Sequence, residues 1–145
     1  MVGSADARRR LMIDLAGPAF GLLIGALAVL ATAAVGLDPY VLMFQSSWGA
    51  PLEQIVLGDV LYVNLLWRLV NLLPLRPLDG GNALLSLLHM KLRDTRRAQN
   101  ITAAVGFITG LVAAIALAQS GRMFLARFAA YFTYQNFQAY QQASR

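Results

Sequence analysis

Cysteine is absent from the 145 residues, and histidine occurs once, as His89. Without cysteine there is no disulfide framework and no thiolate metal site. Charge is also scarce: Asp, Glu, Lys and Arg make up 13% of the chain, against about 25% in an ordinary globular domain. No internal repeat and no low-complexity segment is present. The net charge is +5, but the basic residues flank apolar runs and form no face of their own. They fit the sorting of positive charge to one side of a membrane, and no nucleic-acid partner is expected.

What fills the chain is hydrocarbon. Hydrophobic residues make up 58% of it, above the about 45–50% of a soluble domain. Leu15 to Leu37 is an uncharged run of 23 residues, and a second run of 24 lies between Arg97 and Arg122. Either is long enough to cross about 30 Å of hydrocarbon as a helix. A third apolar stretch, 55–75, has Asp59 near its start and Arg68 inside it. The expected fold is therefore all-α and integral to the membrane, a single domain over 1–145. Its spans are expected at about 12–36, 55–75 and 98–118, with short interfacial helices, among them one at about 122–140. The first run has a basic start and a small-residue "ATAA" stretch like a secretory signal, but it is longer than a signal core and further spans follow.

Charge asymmetry orients this arrangement. The N-terminal tail holds Arg8, Arg9 and Arg10, residues 38–54 hold acids and no base, and 76–97 is rich in Arg and Lys. The N-terminus and the 76–97 segment are thus expected on the cytoplasmic side.

Small residues mark the helix faces. Gly17, Gly21 and Gly25 recur every four residues, as do Thr102, Gly106 and Gly110, and such spacing lets helices approach closely in lipid. Pro18 is expected in the first turns of its helix, where a missing N–H matters least. Tyr40, Phe44 and Trp48 suggest a short surface helix. Phe124, Phe128 and Tyr131 form an aromatic stripe of the packing kind near Arg122 and Arg127. Asn64, Arg68 and Asn71 share a face of the middle helix, and intramembrane polar groups normally face a bundle interior or water.

The middle of the chain reads "NLLPLRPLDGG", Asn71 to Gly81. Pro74 and Pro77 each remove an N–H and push the preceding residue toward extended backbone, so no helix runs through this segment. Broken backbone at membrane depth requires burial in protein or a wet cavity. Asp79, just beyond the break, suits two roles: capping the next helix or binding a cation in the opening.

Asn71, Pro74, Leu78, Asp79, Gly80 and Gly81 together resemble the signature of the site-2 protease family of intramembrane zinc metalloproteases. The "LAGPAFG" stretch around Gly17 and Pro18 resembles that family's preceding helix. The resemblance implies hydrolysis of peptide bonds in membrane-embedded substrates, with Asp79 as a zinc ligand and Asn71 lining the substrate site. It also implies two histidines and a general-base glutamate on a His-Glu-x-x-His helix, which this sequence does not contain. His89 is a poor substitute. It lies ten residues beyond Asp79, about 15 Å along a helix, and reads as a cytoplasm-facing helix residue. Arg76, where smaller residues are usual, and Gly21, where asparagine is frequent, depart from the pattern.

Two accounts follow. Either the chain is part of a protease whose zinc-binding helix belongs to an N-terminal stretch not included in this sequence, or it is an inactive relative that acts as a binding partner. A transporter or channel fragment is a more remote account, because the repeated break of an inverted repeat is absent.

Overall fold

The computed structural model describes residues 4–45, 49–92 and 94–143. All regular structure among them is helical: α1 Ser4–Ala34, α2 Pro39–Gln45, α3 Leu52–Leu61, a π-helical segment Tyr62–Trp67, α4 Arg68–Asn71, α5 Asp79–Leu92, α6 Thr95–Gln119 and α7 Met123–Ala143. Trp48 and Arg93, which the aromatic-anchor and charge readings used, lie outside the described residues. The chain divides into two compact units, 16–71 and the remainder.

Two helices are long and apolar enough to cross a membrane, over Asp6–Ala34 and Thr95–Gln119, and only 22% of the most apolar window of each is buried. Leu27 and Leu30 on α1, and Ile108 and Val112 on α6, are more than half exposed. So much apolar surface facing outward is unfavourable in water and ordinary in lipid. Both helices end in the same way. Gly36 and Gly121 take φ of 76° and 77°. The amides of Gly36 and Leu37 donate to the Ala33 and Thr32 carbonyls, and those of Gly121 and Arg122 to Ala118 and Leu117. These are Schellman caps, which satisfy the last carbonyls and need a residue tolerant of positive φ.

In the 16–71 unit, α1 packs against the middle helix at two of its three glycines. A Cβ on Gly25 would lie 2.8 Å from Cγ of Leu65, and one on Gly21 would lie 2.8 Å from Cγ of Arg68. Nothing lies within 4 Å of a Cβ on Gly17, so the expected seam omits that position. Pro18 is also not in the first turns. The helix begins at Ser4, which puts the proline in its interior, where it is fully buried. The helix continues backwards through Arg8, Arg9 and Arg10, whose charge does not stop it. The stretch 55–75 is not one regular helix: α3, the π segment and α4 follow in succession and end at Asn71. In the π segment the ladder widens to i→i+5 bonding. Asn64 returns its side-chain N–H to the carbonyl of Val60 at 2.9 Å. Asp38 caps α2 by accepting from the amides of Tyr40 and Val41, and the Tyr40 and Phe44 rings stack 5.1 Å apart.

The other unit is built on the antiparallel pair α6 and α7. The buried stripe Ala98, Thr102, Gly106 and Gly110 on α6 meets Ala126, Ala129, Thr133 and Asn136 on α7. Gly110 faces Thr133, Gly106 faces Asn136, the Phe107 and Phe137 rings are 5.7 Å apart, and Asn100 donates to the carbonyl of Ala143. These pairs cover nearly the full length of both helices. The helix expected over about 122–140 is present as Met123–Ala143 and lies along α6. The aromatic stripe does not pack into the interior: Phe124, Phe128 and Tyr131 are at least half exposed.

Candidate functional site

Residues 72–78 form a tight turn between α4 and α5. Leu75 donates its amide to the Leu73 carbonyl and Leu78 to that of Leu75, and the Leu78 carbonyl accepts from the amides of Gly81 and Asn82. The glycine pair lets this turn fold back over the first turn of α5. A Cβ on Gly80 would collide with the Leu72 carbonyl and lie 2.6 Å from the Leu73 oxygen; one on Gly81 would lie 2.6 Å from the Arg76 nitrogen. Pro74 and Pro77 supply the helix-breaking step, and the Arg76–Pro77 peptide is cis.

The turn is anchored on α6 and α7. Leu75 is 2% exposed, and its Cδ1 would lie 3.1 Å from a Cβ on Gly110. The side-chain N–H of Asn136 donates to the Arg76 carbonyl at 2.7 Å and to the Phe132 carbonyl of its own helix at 2.8 Å. Asn82 donates to the Pro77 carbonyl at 3.4 Å. A cavity of about 350 Å³ adjoins the turn, lined by Arg76, Pro77, Asn82, Gln135, Asn136 and Ala139.

Three aspartates stand at helix starts and are used differently. Asp38 and Asp94 each precede their helix and accept hydrogen bonds from its free amides. Asp79 is the first residue of α5, half-buried, one step past the Leu78 carbonyl that accepts from the helix amides. Its carboxylate accepts no hydrogen bond among the described residues. The capping role open to it in the sequence is therefore not taken up among the described residues.

The structure brings Pro74, Asp79, Gly80 and Gly81 into one turn. Asn71 ends α4 in the 16–71 unit, as do Gly17 and Pro18 on α1. His89 stays on α5, ten residues from Asp79, and does not face freely outward: its Nε2 is buried without a hydrogen-bond partner. No group of three His, Cys, Asp or Glu that could hold a metal occurs among the described residues. A catalytic zinc takes three protein ligands, and one carboxylate does not fit it, so the described residues do not make a zinc site by themselves.

Two residues escaped the sequence reading. Asn136 lies in an aromatic-rich tail where nothing marks it except its three-residue spacing from Thr133. Arg68 was read as one of a polar stripe, but its Nε is buried without a partner and its stem fills the space left by Gly21. That contact accounts for glycine at Gly21, because a larger residue would collide with the arginine stem.

Residues 45–113 match the model of peptidase family M50, the site-2 protease family. The match takes in Asn71, Pro74, Asp79, Gly80 and Gly81 and leaves out Gly17, Pro18 and Asn136. No curated protein and no solved structure matches the chain.

Proposed function

We propose that this chain forms part of an intramembrane zinc metalloprotease of the site-2 type, which hydrolyses peptide bonds of membrane-embedded substrates in regulated intramembrane proteolysis. The observation that carries the reading is the Asp79 carboxylate, set at a rigid turn of the family signature and left without a hydrogen bond by the fold. In this reading Asp79 is one donor to zinc, and Asn71, at the end of α4, helps hold the substrate strand. The other donors and the general-base glutamate come from outside these 145 residues, on an N-terminal part of the same protein or a partner chain. The middle helix is a broken span whose break is the 72–78 turn. Residues 76–97 and the N-terminus lie on the cytoplasmic side, with the bilayer as the surrounding partner.

The test is metal binding with and without the missing donors. The chain alone should bind zinc weakly and cleave nothing. Supplied with a His-Glu-x-x-His helix, by fusion or in trans, it should bind one zinc, and Asp79→Asn should abolish that gain. Tight zinc binding by the chain alone would contradict the reading. No gain with the added helix would favour the second reading, an inactive site-2 protease-like protein that binds membrane partners, for which the misfit of the chain's own residues to zinc is the supporting observation.

A further inference from the structure

We propose that Asn136 is a positioning residue for the Leu-Asp-Gly-Gly turn, so that α7, outside the family match, is a working part of the site. The inference rests on the reading of Asp79 as the functional carboxylate. Its starting point is what a turn with two prolines lacks. Pro74 and Pro77 have no N–H, and while the Leu73, Leu75 and Leu78 carbonyls accept backbone amides, those of Arg76 and Pro77 accept none among the described residues, so they need donors from elsewhere.

The structure supplies donors from two carboxamides. Asn82 reaches the Pro77 carbonyl from α5 at 3.4 Å, and Asn136 reaches the Arg76 carbonyl from α7 at 2.7 Å. The second is the shorter and the more deeply buried, since Asn136 is 1% exposed. Its side chain is fixed from three sides. The same nitrogen donates to the Phe132 carbonyl, Oδ1 lies against the open face of Gly106, and Cα is held in helix α7. A carboxamide buried in a helix pair of this kind costs more than an apolar residue unless its bonds are used. Here both donor bonds of Nδ2 are used, one local and one to the turn three residues before Asp79, while Oδ1 is buried without a partner. With Leu75 seated beside Gly110 and the glycine pair under residues 72–76, Asn136 completes three anchors on the segment that presents the carboxylate.

The absence of cysteine makes a direct test possible in the full 145-residue chain in detergent. Leu78→Cys reports opening of the turn through its rate of alkylation by a small maleimide, and Ser86→Cys, buried in α5, reports general loosening. Asn136→Leu, close in shape and without donors, should raise labelling at position 78 about tenfold or more and leave position 86 within about twofold. Asn136→Gln, which keeps a carboxamide but displaces it by one methylene, should give a smaller rise. Thr133→Val, which alters the same helix seam at a residue whose hydroxyl bonds only the Ala129 carbonyl of its own helix, should leave position 78 unchanged. The proposal is overturned if position 78 opens no more than position 86 in both Asn136 variants, or if Thr133→Val opens it equally. Neither readout depends on zinc or on proteolysis, so a failed protease reading and a failed positioning role are told apart.

Discussion

The carboxamide of Asn136 occupies the space that a side chain on Gly106 would fill. A Cβ built on Gly106 would lie 2.7 Å from Cγ of Asn136 and closer still to its Oδ1. Gly106→Ala should therefore destabilise the α6–α7 pair by about 1–3 kcal/mol, the usual cost of overpacking a close interface. Thermal unfolding in detergent measures it, and an unchanged midpoint would show that Asn136 can move aside freely.

Gly81 in the turn and Gly17 on α1 should respond in opposite directions. Gly81→Ala puts a methyl against backbone atoms of Leu75 and Arg76 that cannot rotate away, so a loss of about 1–3 kcal/mol or failure to fold is expected. Gly17→Ala meets nothing within 4 Å, and removing a helix-interior glycine should stabilise by about 0.5–1 kcal/mol. Equal losses at both positions would contradict the packing described for each.

Asp79 and Asp94 should separate function from stability. Asp94→Ala removes the acceptor for the amides of Arg96 and Arg97 and should cost about 1 kcal/mol. Asp79→Asn removes no hydrogen bond among the described residues, only a favourable charge in the first turn of a helix, worth about 0.3–1 kcal/mol. Parallel melts of the two variants check this. A larger loss for Asp79→Asn would mean that the fold uses the carboxylate after all.

Arg68 offers the reverse case. Its Nε is buried without a partner, and replacing an unpartnered buried polar atom by an apolar side chain of similar reach removes its desolvation cost. Arg68→Met should keep the melting midpoint of the chain or raise it. A clear drop would point to an acceptor for the guanidinium that the described contacts do not include.

Much of this was legible in the sequence, and the reasons divide by physics. Uncharged runs dictated the two long helices, because length and hydrocarbon alone decide them. Two prolines and a glycine pair dictated the break at 72–78, because each acts through its own backbone. The Thr102, Gly106 and Gly110 seam was also visible, though not its partner. The misses arose where the outcome depends on a distant contact. Gly17 and Gly21 look alike in sequence, and only the position of Arg68 distinguishes them. Pro18 looked like a helix start because three arginines made the preceding residues look like a tail, yet the helix runs through them. The tyrosines and glutamines of α7 say nothing of its pairing with α6, which rests on the distant Gly106 and Gly110. Asp79 could have been a cap by local rules. The Leu78 carbonyl took the amides nearest to it instead.

The hydrogen bond from Asn136 spans 60 residues of sequence, and this sets an order of assembly. Chains are made and inserted from the N-terminus, so the turn leaves the ribosome well before the residue that completes its hydrogen bonding. Until α7 has entered beside α6, the Arg76 carbonyl has no donor from that side. The turn therefore reaches its full set of hydrogen bonds only after α7 is in place.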